Sequence, residues 1–163
     1  MFPLFIALSF AFAITSAAQS AKKLIEFGWD EPDTEFIREH IGQMRQTPFD
    51  GTVFHVNYAK GGKPGNFTWE AWGTNAFTRA DVAGAMEDLK QTDLGQFNQN
   101  FLRFNTTPAR LDWFDDYAAV IQNAKLAAEI ARESRCPGIL FDIEQYEGAL
   151  FDYRKQRDAS DKS

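Results

Sequence analysis

The feature that most constrains this sequence is an alternation of short strand-forming runs with helix-length amphipathic segments. Leu24-Ile-Glu-Phe-Gly-Trp29 is a run of strand formers, and Asp33 or Thr34 can cap a following helix whose Ile37, Ile41 and Met44 keep helical spacing. Thr52-Val-Phe-His-Val56 is a second strand, set off by Pro48 and Gly51. Thr78-x-x-Asp81 resembles a capping box ahead of Val82, Met86 and Leu89. A third strand falls within Phe97–Phe104. The spacing then predicts a helix with Trp113, Tyr117, Val120, Ile121, Ala124, Ala128 and Ala131 on one face. Cys136-Pro137-Gly138 ends it, and Ile139-Leu-Phe-Asp-Ile143 is a fourth strand.

Strands joined by connections of this length pair in parallel through right-handed crossovers. The expected class is therefore α/β, built of parallel βα repeats. The first βα turn, Gly28-Trp-Asp-Glu-Pro-Asp33, has no glycine-rich phosphate loop, which disfavours a doubly wound nucleotide-binding sheet. Polar and charged residues gather instead at the carboxyl ends of all four strands, where barrel enzymes place their sites. A complete (β/α)8 barrel takes about 250 residues, and removing an 18-residue leader from the 163 residues leaves 145. The expectation is thus a partial, half TIM barrel, whose unpaired strand edges would favour self-association. A small complete four-stranded α/β domain is the alternative.

Residues 2–18 carry no charge, and the apolar stretch Leu4–Ile14 has the length of a signal-peptide core rather than a membrane span. Ser16 and Ala18 suit the positions before a cleavage site at Gln19. The competing reading is an uncleaved anchor. The expected organisation is a signal at 1–18, a partial barrel domain at 22–153 and a polar tail at 154–163, giving a secreted or periplasmic protein with no membrane span after cleavage. The 17 Lys and Arg against 23 Asp and Glu leave a net charge of −6, opposite to a nucleic-acid footprint. One cysteine, Cys136, excludes an intramolecular disulfide and is expected to be buried.

Along Gly138–Tyr146 the side chains alternate, so Asp142, Glu144 and Tyr146 share one face of the strand and its extension. Two neighbouring carboxylates cannot both ionise easily, so one pKa rises. The raised carboxyl can serve as general acid while its neighbour stabilises charge, a division of labour used in glycoside hydrolysis. The other reading is that both acids hold a structural Arg such as Arg103. Gly138-Ile-Leu-Phe-Asp-Ile-Glu144 resembles the fourth-strand segment of secreted (β/α)8 glycoside hydrolases, where chitinase-like families end that strand in Asp-x-Asp-x-Glu. The resemblance implies Glu144 as acid and Asp142 as its partner. Only the last two acids of that pattern are present.

The other strand ends add His55 and Asn57 after the second strand, Trp29, Asp30 and Glu31 after the first, and Arg103 and Asn105 at the third. Their side chains can hydrogen-bond sugar hydroxyls or hold a carboxylate, although His55 alone reads equally as a satisfied core histidine. The stretch Asn57–Phe77 reads as a long glycine-rich loop whose Trp69 and Trp72 either stack on sugar rings or pin the loop with a satellite core. Asn66-Phe-Thr68 and Asn105-Thr-Thr107 are sequons. The two histidines, His40 and His55, lie on different elements, so neither a metal nor a cofactor is expected. The leading functional expectation is an exported, glycoside hydrolase-like protein with a carbohydrate ligand. A non-catalytic glycan-binding module and an inactive truncated fragment needing a partner half are its rivals.

Overall fold

A computed structural model of the protein describes residues 22–106, 111–143 and 150–154. The expected signal at 1–18 and the tail from 155 onward lie outside the described residues. In chain order the elements are β1 (Ile25–Glu26), α1 (Thr34–Met44), β2 (Gly51–Phe54), β3 (Asn57–Lys60), β4 (Lys63–Asn66), α2 (Phe67–Glu70), α3 (Ala83–Gln91), β5 (Phe101–Asn105), α4 (Ala118–Glu133) and β6 (Gly138–Asp142). Four strands form one sheet in the order β1-β2-β5-β6, every neighbouring pair parallel. The order advances in one direction and never reverses. The chain is therefore an α/β fold built on a parallel four-stranded sheet, as the βα rhythm predicts.

The local signals explain most of these elements. Asp33 caps α1, its Oδ1 accepting from the Phe36 amide at 2.7 Å. The segment read as a long loop contains a second, two-stranded antiparallel sheet, β3–β4. Its turn needs two left-handed residues in succession, and Gly61 and Gly62 supply them at φ 58° and 76°. Gly51 is fixed by packing instead, because a Cβ there would come within 2.2 Å of the Gln99 carbonyl oxygen on the approach to β5. The Thr78–Asp81 motif forms, but one turn early. The Asp81 carboxylate accepts from the Thr78 amide and hydroxyl, both at 2.8 Å, while α3 begins only at Ala83.

Register assigns the faces, since paired residues of neighbouring parallel strands point the same way. Phe54, Leu102 and Ile139 are in line, with Phe104 and Phe141 continuing their row. This is the helix side. Ile37 of α1, Ala85 of α3 and Leu126, Ala127, Ile130 and Ala131 of α4 join Phe54, Leu102, Phe104, Phe67 and Phe77 in one core. Asp88 of α3 ties the outer helices together, accepting from Arg38 Nε at 2.8 Å and from the Thr34 hydroxyl at 3.2 Å. The opposite face carries Val53, Phe101, Arg103 and Leu140, and it ends in Asn105 and Asp142.

The face expected for the last helix is corrected. The helix starts at Ala118, so Trp113 lies ahead of it, and Ile121 and Ala128 are exposed. A polar residue takes the core position that the apolar pattern skips. Asn123 is fully buried; its Oδ1 accepts from the Phe77 amide at 2.9 Å, and its Nδ2 donates to the carbonyls of Ala71 and Asn75 at 2.9 and 2.8 Å. One amide thus satisfies three main-chain groups that no regular element serves. Asn123→Ala is expected to cost about 3 kcal/mol or more, given about 1–3 kcal/mol for each buried group left unsatisfied. Urea denaturation would measure the loss, and Asn123→Asp, which sets a carboxylate against two carbonyls, should fare no better.

Candidate functional site

The carboxyl ends of the parallel strands converge on a buried ion pair. Arg103 lies on β5 facing away from the helices, and Glu31 reaches it from the loop between β1 and α1. Arg103 Nη1 meets Glu31 Oε1 with side chains only 9% and 5% exposed. Such a cation so far from water requires a close counter-charge. The Trp69 ring lies against the other partner's charge, its centroid 5.3 Å from the Arg103 guanidinium carbon. Arg103 Nε is buried and makes no hydrogen bond. Glu31 was visible in sequence only as one acid in a polar turn; nothing local marks it as the partner of a residue 72 positions away.

His55 follows β2 and is held to the same loop twice. Its amide donates to the Pro32 carbonyl at 3.0 Å, and its Nδ1 lies 3.1 Å from the Glu31 carbonyl oxygen. The Glu31 carboxylate stands 3.9 Å from the same nitrogen. Burial pushes the imidazole pKa down; the charges of Glu31 and Asp33 oppose this, and Arg103 reinforces it. His55 is thus a satisfied histidine, its Nδ1 turned to a main-chain carbonyl, that keeps 20% of its side chain open.

The remaining expected site residues divide. Asn105 and Asp142 are in register at the ends of β5 and β6, on the Arg103 side, and the Thr106 amide closes on the Asp142 carbonyl at 3.0 Å. Asn105 is fully buried. Asn57 does not extend the His55 face. It opens β3, and its Nδ2 donates to Asp33 Oδ2 at 2.9 Å, binding the hairpin to the α1 cap. Trp29 is 91% exposed beside an exposed Asp30 in the β1–α1 loop. Trp72 packs on the helix side against Phe104, Tyr117 and Phe151, with its indole nitrogen buried. Glu144 and Tyr146 lie outside the described residues. Arg103 is therefore paired with Glu31 rather than with Asp142.

Other candidates lack this convergence. A groove of about 1010 Å³ opens between α3 and α4 at the amino ends of β5 and β6, where Arg79 and Glu133 pair across it at 2.6 Å. It lies at the end of the sheet opposite the strand carboxyl ends. Among the described residues no three His, Cys, Asp or Glu side chains stand together to hold a metal ion. Burial pushes the Cys136 thiol up to about 12, which makes it a poor nucleophile.

Two measurements test this arrangement. Arg103→Met strands the Glu31 carboxylate and should cost about 3–5 kcal/mol, whereas the double change Arg103→Met with Glu31→Leu should recover most of it; chemical denaturation of the three chains would decide. The His55 linkage has a definite sign. The unfolded imidazole takes a proton near pH 6.5 and the folded one only at lower pH, so protonation favours the unfolded chain. Stability should fall as pH drops from about 6.5 towards the folded pKa, by at most about 1.4 kcal/mol per pH unit from this group. His55→Asn should remove that slope.

No family model, curated protein or solved structure matches the chain, so the site stands on its own geometry.

Proposed function

We propose that the chain is an exported, carbohydrate-binding protein similar to glycoside hydrolases, its four parallel strands and the helices between them making up about half of a TIM barrel. A sheet order that advances without reversal, with its helices packed in one core on one side, supports the barrel reading over a doubly wound one. The observation that carries the functional reading is the convergence of His55, Arg103, Asn105 and Asp142 at the carboxyl ends of adjacent parallel strands, joined there by Glu31 and Trp69. The partly open His55 and Asp142, over the buried Arg103, Glu31 and Asn105 and beside indole rings, suit a ligand with hydroxyls and an apolar ring face.

In the catalytic form of this reading, Glu144 is the general acid and Asp142 the neighbour that stabilises charge. Glu31 is committed to Arg103, and Asp33 to the α1 cap and Asn57. Hydrolysis therefore rests on Asp142 and Glu144, and a chain that binds glycans without cleaving them is the second reading that the same commitment favours. Trp29 is the open stacking platform and Trp69 a wall of the cleft.

Calorimetric titration of the mature chain with soluble oligosaccharides, together with a reducing-end assay, tests the proposal. Trp29→Ala touches no core and should lower affinity about tenfold, or about 1.4 kcal/mol. Glu144→Gln should abolish turnover and leave binding in place. Retained turnover in Glu144→Gln removes the acid assignment, binding without turnover in the unaltered chain selects the second reading, and no glycan binding at all overturns the whole.

A further inference from the structure

We propose that Nε2 of His55 is a hydrogen-bond acceptor held ready for a ligand hydroxyl, an inference that rests on the carbohydrate reading for its ligand but not for its chemistry. The argument starts from the group opposite Nδ1. That neighbour is the Glu31 main-chain carbonyl, 3.1 Å away, and a carbonyl oxygen can only accept. Nδ1 therefore carries the ring hydrogen. In a neutral imidazole the other nitrogen must then be bare, with its lone pair in the ring plane and pointing away from the loop.

Three further observations place that lone pair where a ligand can use it. Among the described residues no side chain or main-chain group hydrogen-bonds Nε2, and Nε2 is not among the buried unpartnered atoms. The ring keeps 20% of its surface open although Nδ1 is turned inward. The residue continues the face of β2 that carries Val53, which is the Arg103 face, beyond the last strand residue Phe54. The second tie, from the His55 amide to the Pro32 carbonyl at 3.0 Å, fixes the backbone as well as the ring.

The charges around the ring keep this state. Glu31 and Asp33 would each stabilise an imidazolium, but Glu31 is turned to Arg103, and Asp33 accepts from the Phe36 amide and from Asn57. Arg103 itself repels a second ring proton. A ligand hydroxyl thus meets an acceptor rather than a donor. A carboxylate or phosphate, which offers only acceptors, finds no partner at this nitrogen. The inference names a specificity: hydroxyl donors over anions.

The experiment separates the ring's structural tie from its ligand role. Nitrogen-15 NMR of the full chain at neutral pH should find the hydrogen on Nδ1 and a bare Nε2; a hydrogen on Nε2 overturns the inference without touching the carbohydrate reading. His55→Asn keeps a donor at the position of Nδ1 and deletes Nε2, while His55→Gln places an amide near Nε2 and loses the inner tie. With cellohexaose, xylohexaose and N-acetylchitohexaose as probes, His55→Asn should melt close to the unaltered chain yet lose at least tenfold in affinity for any probe that binds. His55→Gln should melt lower and bind better than His55→Asn. Affinity of the unaltered chain should fall at acid pH as Nε2 takes a proton, and His55→Asn should lack that dependence. Equal affinity of His55→Asn and the unaltered chain overturns the inference; failure of all three probes to bind the unaltered chain overturns the carbohydrate reading and the ligand class with it.

Discussion

A guanidinium group that is nine-tenths buried sets the terms for one whole end of this molecule. Arg103 leaves β5 on the face away from the helices and cannot shed its charge. Its neutralisation requires the β1–α1 loop to fold inward so that Glu31 arrives, and that inward fold is what brings the Glu31 and Pro32 carbonyls to His55. The same loop ends in Asp33, which starts α1 and holds the β3–β4 hairpin through Asn57. Trp69, at the far end of that hairpin and its short helix, closes back over the guanidinium. Two separate connections, the β1–α1 loop and the hairpin-bearing segment after β2, are thus organised around one charge, and each would relax if it were removed.

The opposite side of the sheet obeys simpler rules. There the helices share a single apolar core, and the polar exception, Asn123, serves main-chain groups of the segment between α2 and α3. Apolar packing dominates the helix side, assisted by the Asn123 amide and the Asp88–Arg38 pair between α1 and α3, while a buried charge pair and main-chain hydrogen bonds shape the other. At the edge of the sheet the separation breaks down. Phe141 of β6 is 58% exposed, and Ile143, Phe151 and Tyr153 are exposed with it. An edge strand with that much apolar surface is the part of a parallel sheet that further structure ordinarily covers.

What the sequence made legible follows from how local each cause is. The parallel strands lie close to where β-branched and aromatic runs placed them, because strand propensity and the helix-length connections act over a few residues. The register that sets Arg103, Asn105 and Asp142 on one face is a matter of strand pairing, which alternation within a single strand does not decide. The hairpin looks like loop in sequence because Lys63-Pro64-Gly65-Asn66 has no strand character of its own and pairs only by virtue of the Gly61–Gly62 turn. The α4 face was misplaced because Asn123 occupies a core position as a hydrogen-bonding group, which an apolar count cannot register. The pairing of Glu31 with Arg103 is hidden for a third reason. Its importance is decided entirely by a partner on a distant strand, and an acid between Asp30 and Pro32 looks like any solvated turn.

The two carbonyls that hold His55 belong to the main chain, and this has a consequence for how such a site can change. Main-chain oxygens survive substitution of the side chains that surround them. Trp29 and Asp30, two and one residues before Glu31, are exposed and hold no part of the ring's anchorage. They can be exchanged freely while the imidazole stays where it is. The loop therefore couples a fixed chemical group to a variable rim within five residues of chain, Trp29 to Asp33. For selection or for a combinatorial library, that is the stretch in which ligand preference can drift without rebuilding the protein beneath it.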